Sequence, residues 1–328
     1  MTEFMETCPL PLAIVFLIIG FVLLIKGADC FVEGSSSIAK RFHVPSIIIG
    51  LTIVAMGTSL PETSVSVTAS ISNNNALAVS NAVGSNVFNL MVVIGACALL
   101  TPVLVQREVV RRDIPFSVIC AILLLVLGFM GPMSLGHLDG AILLVCFIGF
   151  IVYMIRKALA ASRAGAAKEK DAAEEDAAKL LSLPKSIFFI VLGVAGIAIG
   201  GDVVVSSASN IAVTFGMSQT LVGLTIVSVG TSLPELVTSM VAARKNEVDM
   251  ALGNAIGSNI FNILMVLGIA SAISPIAFLT ENIVDICVLI VFSVLVWIFA
   301  ATKKQINKPE GFVMVALYAA YVVYACIR

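Results

Sequence analysis

Charge is what this chain has least of: 12% of its 328 residues are Asp, Glu, Lys or Arg. A soluble globular domain cannot cover its surface with so little. Histidine is nearly absent too, with His43 and His137 isolated in loop-like stretches. A metal site of nitrogen and sulfur ligands is therefore not on offer. The seven cysteines (Cys8, Cys30, Cys97, Cys120, Cys146, Cys287, Cys326) have no CxxC spacing and lie mostly in apolar runs, where cysteine acts as a small hydrophobe. A net charge of −1 gives nucleic acid nothing to bind.

What the chain has instead is apolar length. Hydrophobic residues make up 59% and the mean hydropathy is +1.10. Ten runs are long enough to cross a hydrocarbon core: Pro9–Ile25, Pro45–Ser72, Ala76–Leu100, Ile114–Met130, Leu138–Ile155, Ser186–Val205, Gln219–Ala243, Asp249–Ile273, Ile283–Ala301 and Gly311–Ile327. They are continuous, whereas barrel strands would be short and alternating. An all-α polytopic membrane protein follows, with the lipid bilayer as its surroundings and no obligate protein partner implied. The acidic start (Glu3, Glu6) lacks the basic region of a secretory signal, so the first run reads as a retained span. Gly, Pro and polar interruptions in the second, third, seventh and eighth runs suggest broken helices.

The only long polar segment, 156–185, divides the chain into halves 1–155 and 186–328 and reads as a solvated linker. With ten spans and the N-terminus outside, seventeen of the nineteen basic residues fall in inside loops. Basic residues collect on the cytoplasmic side, so both termini are expected outside a cell membrane, in a prokaryotic plasma or inner membrane.

The halves are copies. At a constant offset of 173, Gly50–Ser66 matches Gly223–Ser239 at 12 of 17 positions, and Asn81–Leu90 matches Asn254–Ile263 at 7 of 10. The copies begin five spans apart, an odd number, so they should cross the membrane in opposite senses. Inverted repeats whose broken helices meet near the midplane are a transporter architecture, with the substrate site where they meet.

Both copies contain GTSLPE, at Gly57–Glu62 and Gly230–Glu235. A carboxylate at bilayer depth is costly and marks function. The prolines Pro61 and Pro234 have no amide hydrogen, so carbonyls one turn earlier lose helical partners. Gly57 and Gly230 are the first to be released, with Ala55, Thr58, Ser228 and Thr231 beside them. Thr58, Ser59, Thr231 and Ser232 supply hydroxyls. The second block supplies Ser85 and Asn89, then Ser258 and Asn262, each pair four apart on one helix face. Every ligand offered is oxygen, which suits Ca2+, Na+ or Mg2+; reluctant dehydration of Mg2+ favours the first two.

Paired GTSLPE and GSNxFN motifs in two halves resemble the α-repeats of the cation/Ca2+ exchanger superfamily, and prokaryotic Na+/Ca2+ exchangers in particular. The resemblance implies ten helices, eight in a rigid core and the first and sixth sliding across it. It implies a secondary-active antiporter rather than an enzyme, needing no cofactor and exchanging several Na+ for one Ca2+. It also implies that Glu62 and Glu235 are shared anionic ligands. Thr58, Ser59, Thr231, Ser232, Ser85, Asn89, Ser258 and Asn262 would complete the cage, with backbone oxygens of Ala55 and Ser228. Some prokaryotic members carry an acidic residue where this chain has Asn262, so proton involvement inferred from them does not transfer. A K+-dependent exchanger and a Ca2+/H+ antiporter share the glutamate pair and stay open as alternatives; a cation channel stands further off.

Overall fold

The computed structural model describes residues 8–71, 75–130, 133–168, 180–217, 226 and 228–327. Helices α1 (Leu10–Arg41), α2 (Ser46–Ile49), α3 (Ala55–Thr58), α4 (Leu60–Ile71), α5 (Asn75–Phe88) and α6 (Ile94–Leu100) precede strand β1 (Val103–Leu104). Then come α7 (Ile114–Met130), β2 (Ser134–Leu135), α8 (His137–Lys168) and α9 (Leu183–Thr214). The remainder is α10 (Ser228–Gly230), α11 (Leu233–Arg244), α12 (Val248–Phe261), α13 (Leu267–Ile273), β3 (Ile276–Ala277), α14 (Thr280–Lys303), β4 (Gln305–Ile306) and α15 (Lys308–Ile327).

Among the described residues, eight helical segments are long and apolar enough to cross a membrane, or nine with the bent pair α2–α3 and α4. The expected span at Gln219–Ala243 falls partly outside the described residues; only α10 and α11 represent it.

The first span is longer than its apolar run predicts. It continues past Ile25 as one 32-residue helix to Arg41. Gly27 and Gly34 lie directly against α9 and Ala28 and Ser35–Ser37 are buried, while Lys26 and Asp29 lie i,i+3 apart on the exposed face. Helix α8 likewise runs to Lys168, into the stretch expected as linker.

Helices α1 and α9 are antiparallel and pack through glycine. A Cβ at Gly27 would come within 2.7 Å of the Ile197 amide nitrogen, and one at Gly193 within 2.6 Å of that of Phe31. Backbones this close leave room for no side chain. The outward faces of both helices are apolar, with Ile14, Ile18 and Val22 on α1 and Val191 and Ile199 on α9, as hydrocarbon contact requires.

The expected breaks are real in two places. Helix α3 stops at Thr58 and the chain restarts as α4 at an angle of 49°. Ser59 and Ser232 occupy the two turns, and Pro61 and Pro234 sit in the first turn of the following helices. A missing amide hydrogen is harmless there. In the third and eighth spans the expectation of a break fails. Helix α5 passes through a π-helical turn, Asn89–Val93, directly into α6, and α12 passes through Asn262–Val266 into α13. No proline interrupts either, so a wider turn takes the place of a gap.

Strands β1 and β4 pair antiparallel, as do β2 and β3. The exchange is reciprocal, because β3 lies 173 positions after β1 and β4 lies 171 after β2. At the centre, α12 is largely enclosed. It crosses the chain at Gly50, where a Cβ would approach the Met250 carbonyl to 2.5 Å.

Candidate ion-binding site

The two helix breaks bring their polar residues to one place. Glu62 and Glu235 are both fully buried, and no described ion pair involves either. Each receives a hydroxyl from the opposite half: Ser59 donates to Glu235 Oε1 at 2.9 Å, and Ser232 donates to Glu62 Oε1 at 3.3 Å. Ser258 adds a second hydroxyl to Glu235 Oε1 at 3.4 Å, and Ser85 stands beside Glu62 in the matching position.

The second oxygen of each carboxylate accepts nothing. Among the described residues, the buried oxygens without a hydrogen-bond partner include Glu62 Oε2, Glu235 Oε2, Ser85 Oγ, Asn89 Oδ1 and Asn262 Oδ1. An orphaned buried oxygen costs about 1–3 kcal/mol, more when charged, and two buried carboxylates without a cation cost far more. Oxygens of this kind are the donors that a hard cation takes.

The site residues chosen from sequence do not all behave alike. Thr58 donates to Asn254 Oδ1 at 3.1 Å and Thr231 to Asn81 Oδ1 at 3.5 Å, so each threonine reaches an asparagine of the opposite copy. The Ala55 carbonyl is not freed by Pro61 as expected. The amide of Ser59 still reaches it at 3.0 Å, because the break lies one residue later; only its second lone pair is left for an ion. For Ser228 the backbone is helical and its side chain lies outside the described residues.

Asn81 and Asn254 were not singled out from sequence, and with Asn86 and Asn259 of the second repeated block they form a supporting layer. Asn81 donates to Ser66 Oγ at 3.0 Å and to the Glu62 carbonyl at 3.3 Å; Asn254 repeats this with Ser239 and Glu235 at 2.9 and 3.4 Å. Asn86 and Asn259 exchange amide-to-carbonyl bonds at 3.1 Å in each direction. Asn86 Oδ1 also accepts the Asn262 amide at 3.1 Å, which turns Asn262 Oδ1 away from it. All are identical between the copies, and that identity was the signal available.

A cavity of about 470 Å3 lies beside the two helix breaks. It is lined by Leu60, Pro61, Ser64 and Val65 of α4, by Ala198, Gly201, Asp202, Val205 and Ser206 of α9, and by Gly230, Thr231 and Pro234. Pro61 and Pro234 line it, whereas Glu62 and Glu235, the next residues in the chain, are buried and are not part of its lining.

Known proteins are similar to this chain in sequence and in fold. A family model described as sodium/calcium exchanger protein matches residues 12–156 and 185–327. The putative antiporter CaxA of Alkalimonas amylolytica is 43% identical over 267 residues, covering 80% of this chain and 81% of that protein. The sodium/calcium exchanger MaX1 of Methanosarcina acetivorans is 32% identical over 337 residues, covering 94% and 96%. A structure of the sodium-calcium exchanger NCX_Mj, soaked with 10 mM Na+ and 10 mM Sr2+, superposes with a TM-score of 0.83 at 31% identity, covering 96% of this chain and 99% of that one. This multi-pass membrane protein belongs to the sodium/calcium exchanger family.

Proposed function

We propose that the chain is a secondary-active Na+/Ca2+ antiporter that exchanges several Na+ for one Ca2+ by alternating access. The observation that carries this reading is the pair of buried, ion-pair-free carboxylates with one orphaned oxygen each. Their joint charge of about −2 is neutralised by one Ca2+ or by two or more Na+. The two loads compete for the same oxygens, and the empty site is too costly to carry across a closed state. Obligatory exchange follows.

In this reading Glu62 and Glu235 are the shared ligands. Ser59, Ser232, Ser85, Ser258, Asn89 and Asn262 complete the cage, with oxygens of Thr58, Thr231, Ala55 and Ser228 at its edge. The two halves form inverted five-helix repeats, ten helices in all, with both termini outside. The antiparallel α1–α9 pair and the crossed strand exchange support that inversion. Helices α1 and α9, apolar outside and glycine-packed within, are the elements that slide. The name of NCX_Mj and its soaks with Na+, Sr2+ and Ca2+ support the choice of ions.

The test is Ca2+ uptake into proteoliposomes under an imposed Na+, K+ or H+ gradient. Uptake driven by outward Na+ alone is expected. Indifference to Na+, with drive from H+ or a requirement for K+, would replace this reading with one of the other exchanger types.

A further inference from the structure

The two ends of the α1–α9 pair are unlike in charge. At the C-terminal end of α1, Lys245, just beyond α11, lies 3.5 Å from Asp29 Oδ1 and 3.7 Å from Glu33 Oε2, and donates to the Asp29 carbonyl at 3.0 Å. Two residues on, Glu247 accepts from Ser36 at 2.6 Å and Ser46 at 2.8 Å, and pairs with Lys40 at 3.0 Å. The α11–α12 turn thus grips α1 by charges of both signs.

The repeat carries other residue types at the matching positions. At the offset of 173, Asp29 becomes Asp202, but Lys245 becomes Ser72, Glu247 becomes Asn74, Glu33 becomes Ser206 and Lys40 becomes Val213. Asp202 lines the cavity and has no ion pair among the described residues. The antiparallel register sets Gly20 against Val204 and Gly34 against Ile190. It places the cavity toward the N-terminal end of α1 and the charge cluster toward the opposite end. The cavity thus lies toward one end of the pair and the described charge cluster toward the other.

We propose that Lys245 and Glu247 form a one-sided latch that holds α1 closed against the α11–α12 turn. It biases the exchanger toward the state whose cavity opens beside Asp202. Each half-exposed pair contributes little by itself, but several on one element act together on a two-state equilibrium. Ion reorientation then requires breaking this cluster in one direction only, so the two half-cycles differ in rate. The inference rests on the alternating-access reading and deepens it: the charged turn sets which side the empty or Na+-loaded site faces.

The test reads accessibility rather than transport. In a cysteine-free full-length chain in lipid nanodiscs, one reporter is Ser206→Cys, in the cavity. The other is Ala28→Cys, matching Gly201 at the closed end. Lys245→Ser with Glu247→Asn installs the residues of the other copy. Maleimide labelling is expected to slow at the first reporter and quicken at the second, each by roughly three- to tenfold. Raising choline chloride from about 50 mM to about 1 M should move the intact latch the same way, because salt screens half-exposed charges. The double variant should be insensitive to it. Labelling unchanged by the substitutions, or an intact chain indifferent to salt, overturns the latch. Uptake without Na+ coupling alongside these labelling shifts would instead remove the choice of ions and leave the latch standing.

Discussion

The Ser59 hydroxyl donates to Glu235 at 2.9 Å, so a residue of one half holds the carboxylate of the other. Ser232 returns the contact to Glu62. In the proposed site neither half is complete by itself, so the chemistry would need both copies of the motif.

Ser59→Ala should therefore act on the opposite carboxylate. A hydrogen bond to a charged group is worth about 1.5–3 kcal/mol, so Ca2+ affinity is expected to fall roughly tenfold to a hundredfold. Ser232→Ala should fall less, since its contact is the longer at 3.3 Å. Calorimetric Ca2+ titration of each variant measures the difference, and equal, negligible losses would count against the cross-half contacts.

Glu62→Gln or Glu235→Gln is expected to abolish coupled Ca2+ uptake while leaving the protein folded. The amide keeps the shape and removes a buried charge that costs several kcal/mol without a cation. In Na+- and Ca2+-free buffer the variants should melt at or above the parent temperature. Near-parental exchange in either would contradict the assignment.

Gly193→Val should disturb the α1–α9 contact, because a Cβ there would lie 2.6 Å from the Phe31 backbone nitrogen. Overpacking of this kind costs about 1–3 kcal/mol. Lower thermal stability in detergent and slower exchange are expected, whereas Gly149→Val, with open space around it, should change neither.

Glu247 gives the latch a pH dependence with a definite sign. Burial raises its pKa, but hydrogen bonds from Ser36, Lys40 and Ser46 and the Lys40 charge outweigh that and hold it below the ordinary 4.5. A depressed carboxylate contributes stability above its ordinary value and loses it as pH falls through the lowered one. Labelling of Ser206→Cys, taken relative to free cysteine at the same pH because the thiolate fraction itself falls with acid, should thus be flat from neutral pH down to about 4.5 and drop only below it. Glu247→Gln should remove that acid limb.

Much of this was readable in the sequence where one residue type forces one outcome. Pro61 and Pro234 dictated the two breaks, and the duplicated Glu62 and Glu235 dictated a shared polar centre. Legibility failed where geometry depends on a neighbour. The length of α1 beyond Ile25 is set by its packing on α9, so the charged Lys26, Asp29 and Glu33 fell outside the apolar run read as the first span. The π-helical turns at Asn89 and Asn262 replaced expected breaks, because a polar residue alone does not stop a helix. The Asn86–Asn259 exchange pairs residues 173 apart, and only a folded chain brings them together.

The central claim is that Glu62 and Glu235 form one site that holds Ca2+ or Na+ but not both. Equilibrium Ca2+ binding to the purified exchanger at increasing Na+ tests it most directly. The account predicts that the apparent Ca2+ dissociation constant rises with Na+ more steeply than in proportion, without limit, and that either Gln variant loses the binding. Ca2+ affinity indifferent to Na+, or levelling off with both ions bound, would contradict it.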